Sequence, residues 1–462
     1  MLSVFEIAPA LEGTAHHDAR FDWVATDTRG ELAGALFVAL RGERFDGHDF
    51  VAEAARAGAA AALVERAWAD RNPEAGLPLL VVGDTRRALG RLAAAWRSRF
   101  DIPIVGITGS NGKTTVKEMC AAILRAWCRR TGQGDDAVLA TAGNFNNDIG
   151  LPLTLLRLRA QHRAAVVEMG MNRPGEIAGL TRLAQPTVTL ITNAQRAHLQ
   201  GMGTLADIAR EKGTIHTAGA DSAVAVINAD DPHADYWREQ CHGRPVCSFG
   251  LDAAADVTAQ ARLKAFGAEL ELTTAQGSAH FELAIPGEHN VRNALAATAA
   301  CLAAGAVLSD VVEGLRSYRG TQGRLQRKRA RHGALLIDDS YNANPDSARA
   351  AIDVLAALPG RKILVLGDMG EIGRTSAQVH DEVGGYAKSM GLDALYALGE
   401  MSAVAARNFG EGGQHFDDVD ELVAALESAL DEHCAVLVKG SRSMRMERVV
   451  EALESPGGAH AA

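Results

Sequence analysis

The sequence is short of aromatic residues, which make up 5% of its 462 positions, and it has no apolar run of membrane-spanning length. Its most continuous apolar stretch, Ala294 to Leu308, is interrupted by small and polar residues and falls short of the ~20 residues a bilayer requires; it is expected to be one buried helix. An excess of basic charge is also missing: 47 Lys and Arg against 57 Asp and Glu leave a net charge of −10. A nucleic-acid partner therefore has no global electrostatic support, and an anionic ligand must be held by local donors. No C-x-x-C pair occurs among Cys120, Cys128, Cys241, Cys247, Cys301 and Cys434. Reduced, mostly buried thiols in a cytoplasmic protein are therefore expected. The opening MLSVFEIAPALEG has neither a basic start nor a cleavage pattern, so no export signal is expected.

What is present is the composition of a soluble globular chain, 47% hydrophobic and 23% charged. At about 150 residues per domain the length predicts about three domains. Strand and helix patterns alternate throughout, which predicts an α/β protein. Strands are expected at Ala35–Leu40, Ala60–Val64 and Leu79–Val82, with a helix at Asp49–Ala57, as one small unit. A helix at Thr85–Arg99 leads to Pro103, and a polar link runs from Ser317 to Gly323. We expect domains at 1–84, 85–316 and 317–462.

The chain is organised around IVGITGSNGKTT, Ile104 to Thr115. An apolar strand to Thr108 runs into Gly109, Ser110, Asn111 and Gly112, and a helix begins near Lys113 with Thr114 and Thr115. Such a loop offers backbone N–H groups and a helix N-terminus to an anion, while its lysine and hydroxyls reach terminal phosphates and magnesium. The usual G-x-x-x-x-G-K-[ST] spacing is not met: Ile107 stands five before Gly112, with Gly109 three before it and Gly106 six. The strand, the loop and the amphipathic continuation through Val116, Met119 and Ile123 still favour a phosphate cradle over an ordinary turn.

Polar groups follow other apolar strands. Residues 140–150 form a polar loop, the strand Ala164–Val167 ends in Glu168, and Val188–Ile191 is followed by Thr192, Asn193 and His198. In open parallel sheets ligands sit beyond the carboxyl ends of strands, so Glu168 and His198 are candidate magnesium ligands rather than surface residues. Three later strands, Leu335–Ile337, Ile363–Leu366 and Ala435–Val438, end in DDSYNANP, GDMGE and KGSR, which predicts a second ligand-facing sheet edge. Taken alone, Lys212 reads as a solvated helix residue, GEHNVRN as a capped helix start, and the clusters Asp27–Arg29 and Arg41–His48 as solvated loops.

Together these residues resemble the Mur ligase family of ATP-dependent amide ligases along nearly the whole chain. TGSNGKTT, Glu168 in EMGMNRPGEI, His198 in ITNAQRAHL, GEHNVRN and GRLQ are family-wide features. GNFNNDIGLPLTLL, DDSYNANPDS, LGDMGEIG and LVKGSRSMRME look like the branch that adds D-alanyl-D-alanine to UDP-N-acetylmuramoyl-tripeptide in cytoplasmic peptidoglycan precursor synthesis. The preceding ligase, which adds a diamino acid, carries a D-N-P-R motif that is absent here.

The resemblance implies a small N-terminal α/β UDP-binding domain, a central P-loop ATPase-like parallel sheet and a Rossmann-like C-terminal domain, working as a monomer with ATP and Mg2+. It implies that Lys113 contacts the β and γ phosphates within the loop Gly109–Thr115, and that Thr114 and Glu168 hold one magnesium. His198 and a carbamylated Lys212 would serve a second. Asn290 and Asn293 would meet adenine, Asp339 the ribose and Arg324 the γ-phosphate. Thr28, Arg29 and the loop Asp46, Gly47 and His48 would hold UDP, and Arg442 the dipeptide. Two rivals stay open: the sister ligase for the diamino acid, and a P-loop switch that hydrolyses nucleotide without forming an amide.

Overall fold

The computed structural model describes residues 2–197 and 199–455. Of the sites expected above, His198 lies outside the described residues.

The first sheet has the order β1-β5-β4-β3-β2, from β1 (Thr14–Ala15), β2 (Trp23–Ala25), β3 (Ala35–Val38), β4 (Ala61–Glu65) and β5 (Leu79–Val82). Only the β1 edge is antiparallel. Helix α1 (Thr85–Arg97) follows, with the Asp84 carboxylate accepting the Arg87 N–H at 3.0 Å as its N-cap. Its Trp96 indole donates to the Leu158 carbonyl, and the buried Arg97 donates to the carbonyls of Ala184 and Gln185. Through α1, one apolar core runs from the first sheet into one face of the second.

The second sheet is parallel throughout, in the order β11-β10-β9-β6-β8-β7. Its strands are β6 (Ile104–Thr108), β7 (Val138–Ala140), β8 (Ala164–Glu168), β9 (Val188–Ile191), β10 (Val224–Asn228) and β11 (Val246–Phe249). β6, β8 and β9 are buried along their whole length. That burial explains why they read as continuous apolar runs, as parallel strands covered on both faces do. Helices α2 (Lys113–Arg130), α3 (Glu176–Ala184) and α4 (Leu205–Thr217) cover the faces. Register places the site: Ile107 pairs with Glu168 on one side and Leu190 on the other, and Thr108 pairs with Ile191. The carboxyl ends of β6, β8 and β9 are thereby level, and the strand order switches direction beside β6, where a crevice forms.

The run Ala294–Leu308 is not one helix. It is divided between α5 (Glu288–Ala303) and α6 (Leu308–Ser317). Gly305 takes φ +101°, and the N–H groups of Gly305 and Ala306 fold back onto the carbonyls of Leu302 and Cys301. A left-handed glycine after the last turn ends a helix whatever the hydropathy around it. An antiparallel meander precedes α5: β12 (Thr258–Lys264), β13 (Gly267–Thr274) and β14 (Gly277–Leu283). Its period-two pattern is plain in Ala268, Leu270 and Leu272, all buried toward α5 and α6.

The third sheet has the order β15-β16-β20-β17-β18-β19, with β15 (Gln326–Arg329), β16 (Leu335–Asp339), β17 (Arg361–Gly367), β18 (Ala394–Leu398), β19 (Gly413–Phe416) and β20 (Cys434–Lys439). Only β15 is antiparallel. Helix α7 (Pro345–Ala356) begins with Asn344 as N-cap, its Oδ1 accepting the Ser347 N–H at 2.9 Å. Every cysteine is a free thiol, buried except for the half-buried Cys247. Among the described residues no helix is long and apolar enough to cross a membrane.

Candidate active site

The loop after β6 is laced to the loop after β9. The N–H of Ser110 donates to the Asn193 carbonyl at 3.0 Å, and that of Asn111 to Asn193 Oδ1 at 2.9 Å. Thr192 Oγ1 donates to the Asn111 carbonyl at 2.6 Å. The glycines make these approaches possible. A Cβ on Gly109 would lie 1.8 Å from Thr192 Oγ1, and one on Gly112 would lie 2.4 Å from Asn293 Oδ1. Both glycines also have positive φ, +151° and +83°, which disfavours any side chain there.

Lys113 opens α2 and turns its ammonium back onto the loop, donating to the Gly109 carbonyl at 2.7 Å and to that of Ser110 at 3.3 Å. Desolvation, then the opposing influences of Glu168 and Arg324, leaves its pKa below the ordinary lysine value. One residue on, Thr114 Oγ1 donates to Glu168 Oε2 at 3.0 Å, and Asn146 Nδ2 donates to Glu168 Oε1 at 2.8 Å. Behind them the buried Lys117 donates to the Thr141 carbonyl at 2.7 Å, and Thr141 Oγ1 accepts the Glu168 N–H at 2.9 Å. Glu168 is 3% exposed, so its orientation is set from three sides.

Lys212, on α4, is 1% exposed and makes no ion pair among the described residues. It is not the solvated helix residue its local sequence suggests. Its neighbour Glu211 is engaged elsewhere, accepting the N–H groups of Gly175 and Ile177 at 2.9 Å each. Burial first, and the Lys113 charge second, push the Lys212 pKa well below that of a free lysine. Among the described residues no cluster of three or more His, Cys, Asp or Glu has metal-holding geometry.

Two cavities meet at the phosphate loop. A chamber of about 1030 Å³ is lined by Lys113, Thr114, Asn146, Glu168, Arg324, Asn342 and Arg442 among others. A smaller cavity of about 480 Å³ is lined by Thr115, Phe249, His289, Asn290, Asn293, Asp339 and Lys439. Asn111, Gly112, Arg196, Arg324 and Ser347 border both. Asn293 Nδ2 donates to Asn290 Oδ1 at 3.0 Å, and Asn290 Nδ2 donates to the Pro286 carbonyl at 2.7 Å. Arg324 lies with its guanidinium carbon 4.3 Å from the Tyr341 ring centre, and its buried Nε has no partner among the described residues. Arg442 approaches the same ring at 5.7 Å.

The N-terminal candidates are not gathered in this way. Arg29 lines a separate groove with Trp23, Asp27, Phe145 and Arg157, between the edge strand β2 of the first sheet and residues 145–159. Thr28 neighbours Arg29 in the chain but is not among that groove's lining residues. Asp46, Gly47 and His48 form an internal knot. His48 is 2% exposed, with Nδ1 2.6 Å from Asp46 Oδ1 and Nε2 accepting the Glu65 N–H at 2.9 Å. Both ring nitrogens are therefore spent on the protein.

Sequence reasoning passed over Lys117; it took Thr141 and Asn146 only as part of a polar loop, and Lys439 only as part of the KGSR strand end. Lys117 carries no signal beyond a lysine in an apolar setting, whereas Lys439 closes an apolar strand and Asn146 stands in a run of asparagines that a solvated loop does not require.

Comparison with known proteins gives these contacts a context. Residues 20–97, 107–301 and 323–442 match the Mur ligase family catalytic domain, the Mur ligase middle domain and the Mur ligase glutamate ligase domain. The chain is 43% identical to the UDP-N-acetylmuramoyl-tripeptide–D-alanyl-D-alanine ligase of Escherichia coli K12, over 95% of each chain. The crystal structure of MurF from Acinetobacter baumannii superposes with a TM-score of 0.87 at 37% identity, covering 96% of this chain and 97% of that one. MurF ligase from Thermotoga maritima, solved in complex with ADP, does so with a TM-score of 0.81 at 30% identity, covering 94% and 97%. With all three segments matched in order and the likeness spanning both chains, this protein belongs to the Mur ligase family.

Proposed function

We infer that the protein is an ATP-dependent ligase that joins D-alanyl-D-alanine to UDP-N-acetylmuramoyl-tripeptide, a step of peptidoglycan precursor synthesis in the cytoplasm. The observation that carries this reading is the pair of cavities meeting at one phosphate loop. The smaller suits a nucleotide; the chamber has room for a second anionic substrate and an amine.

A carboxylate is a poor electrophile. Its oxygen attacks the γ-phosphorus of ATP, ADP leaves, and an acyl phosphate results. The dipeptide amine then adds to the acyl carbon, and the tetrahedral intermediate expels phosphate and a proton. The protein supplies position and charge. Loop N–H groups and Lys113 face the terminal phosphates, and Arg324 faces the transferred phosphoryl group. Asn290 and Asn293 meet the base, and Asp339 the ribose. Arg442 meets the dipeptide, while UDP lies against the first sheet near Thr28, Arg29 and the loop Asp46–His48. The domain division at 1–84, 85–316 and 317–462 assigns UDP, ATP and amine substrate in that order.

The donor set fits magnesium. Thr114 Oγ1 and Glu168 Oε2 present oxygen ligands 3.0 Å apart at a strand end, the hard donors that cation takes. When bound, the ion neutralises charge on the phosphates. Lys212 fits a second cation only in altered form, because its ammonium would repel one. The neutral amine, the form that burial favours here, is the one that adds to carbon dioxide, releasing a proton and leaving an anionic carbamate. With His198 that carbamate would complete the set.

An assay offering ATP with each nucleotide-peptide and amine pair, read by product mass, tests the reading. Amide formed only from the tripeptide and D-alanyl-D-alanine is expected. Preference for a diamino acid would favour the sister ligase, and ADP without amide a nucleotide switch.

A further inference from the structure

A buried lysine at the end of β20 has no part in the chemistry above. Lys439 is 2% exposed, and its ammonium donates to Asp339 Oδ2 at 2.5 Å and to the Asn342 carbonyl at 3.0 Å. The other Asp339 oxygen accepts the Leu325 N–H at 3.2 Å, so that carboxylate is fixed from two sides where it borders the smaller cavity. Asn342 borders the chamber instead, and its Oδ1 accepts the Arg442 N–H at 3.3 Å. β20 then runs from Lys439 directly into Ser441–Ser443, which also border the chamber.

A buried ion pair adds little net stability over apolar side chains of the same size. Packing alone therefore gives no reason for a lysine here. What this one does is hold, with a single ammonium, a carboxylate of one cavity and the backbone wall of the other.

We propose that Lys439 is a positioning residue that ties the ribose-facing carboxylate of the nucleotide cavity to the amine-facing wall of the chamber. Nucleotide and amine substrate are then held by one connected set, Asp339, Lys439, Asn342 and Arg442. The proposal rests on the ligase reading and adds a residue to it.

Steady-state kinetics on the full chain test it. Lys439→Met is expected to raise KM for both ATP and D-alanyl-D-alanine by about tenfold, the worth of one hydrogen bond to a charged group. KM for the nucleotide-peptide should stay as it was, and Lys439→Arg should recover much of both losses. ADP affinity measured by calorimetry, which needs no turnover, should weaken to a similar degree. A rise in KM for ATP alone would overturn the coupling, and a fall in Tm with all KM values unchanged would reduce Lys439 to a structural lysine. If the methionine variant does not fold, Asp339→Asn breaks the same pair from the other end. A raised KM for the dipeptide in that variant supports the proposal, and an unchanged one overturns it. Absence of amide product from the unaltered enzyme would defeat the ligase reading instead, leaving the calorimetric comparison to stand or fall separately.

Discussion

Residues 41–48 and 109–114 are alike as sequence: each is a glycine-containing polar loop that follows an apolar strand. The fold uses them in opposite ways. In the first, the charges answer one another. His48 bonds Asp46 and the Glu65 N–H, and Arg41 pairs with Asp46 at 3.1 Å and Glu65 at 3.2 Å. Gly47 is there to let the chain pass, since a Cβ would lie 2.7 Å from the Leu40 backbone. In the second, Lys113 has only loop carbonyls to bond and makes no ion pair among the described residues. The two loops thus differ less in polar composition than in whether the protein supplies the counter-ion to their charge.

The largest effect expected from this difference is at Lys113. Lys113→Ala removes the charge proposed to face the terminal phosphates and little buried apolar area. Turnover should fall by about 10³-fold or more, while the thermal unfolding midpoint barely moves. Near-normal turnover in that variant would erase the contrast between the loops.

Lys212 comes next. Lys212→Arg puts a permanent positive charge at this position and cannot form the carbamate, so activity should fall by roughly 10²-fold, the usual scale for losing one electrostatic contributor. Circular dichroism should show the variant folded, and exhaustive bicarbonate removal should lower wild-type turnover in the same direction. An arginine variant with ordinary turnover at ordinary magnesium would sink the carbamate and leave Lys212 as a buried structural amine.

These residues were not equally legible. The α/β class and the two later sheet edges follow from apolar runs ending in polar loops, which is how buried parallel strands must read. The Thr114 and Glu168 pair follows from register, because adjacent parallel strands of similar length end level. The burial of Lys212 could not be read locally. Arg210, Glu211 and Lys212 stand in succession on α4, yet only Arg210 is exposed. The division of α5 from α6 turned on one glycine, Gly305, whose left-handed backbone outweighs a continuous apolar pattern. The knot at His48 was hidden because its partner, the Glu65 backbone, lies 17 residues away.

A smaller effect is expected at that knot. His48→Ala would leave a buried Glu65 N–H without its acceptor and loosen Asp46, lowering stability by about 1–3 kcal/mol. KM for the UDP-bearing substrate should hardly change, because both ring nitrogens already face the protein. Denaturant unfolding beside substrate kinetics separates the outcomes. Unaltered stability with a raised KM would show that the His48 ring itself contacts UDP and make the two loops functionally alike.

The smallest effect concerns how the second and third sheets meet across the phosphate loop. Their contacts include several polar ones. Asn344 Nδ2 donates to Asn111 Oδ1 at 2.7 Å, and Arg196 pairs with Asp346 at 2.9 Å and Glu382 at 3.0 Å. The Gln200 N–H donates to the Glu371 carbonyl at 3.1 Å. Partly exposed pairs of this kind contribute at most about 1 kcal/mol each, so the interface can open and close without a large barrier. Arg324 and Asp339 lie on the far side of the polar link from Lys113, so in the proposed roles one nucleotide would be gripped from both sides. Saturation with nucleotide and UDP-substrate together should make the enzyme more compact in solution scattering. Arg196→Ala should weaken that compaction and lower turnover a few-fold, in line with the loss of one such pair. Scattering profiles unchanged by both ligands would show that the sheets keep one spacing throughout the cycle, and Arg196 would then be a static tie.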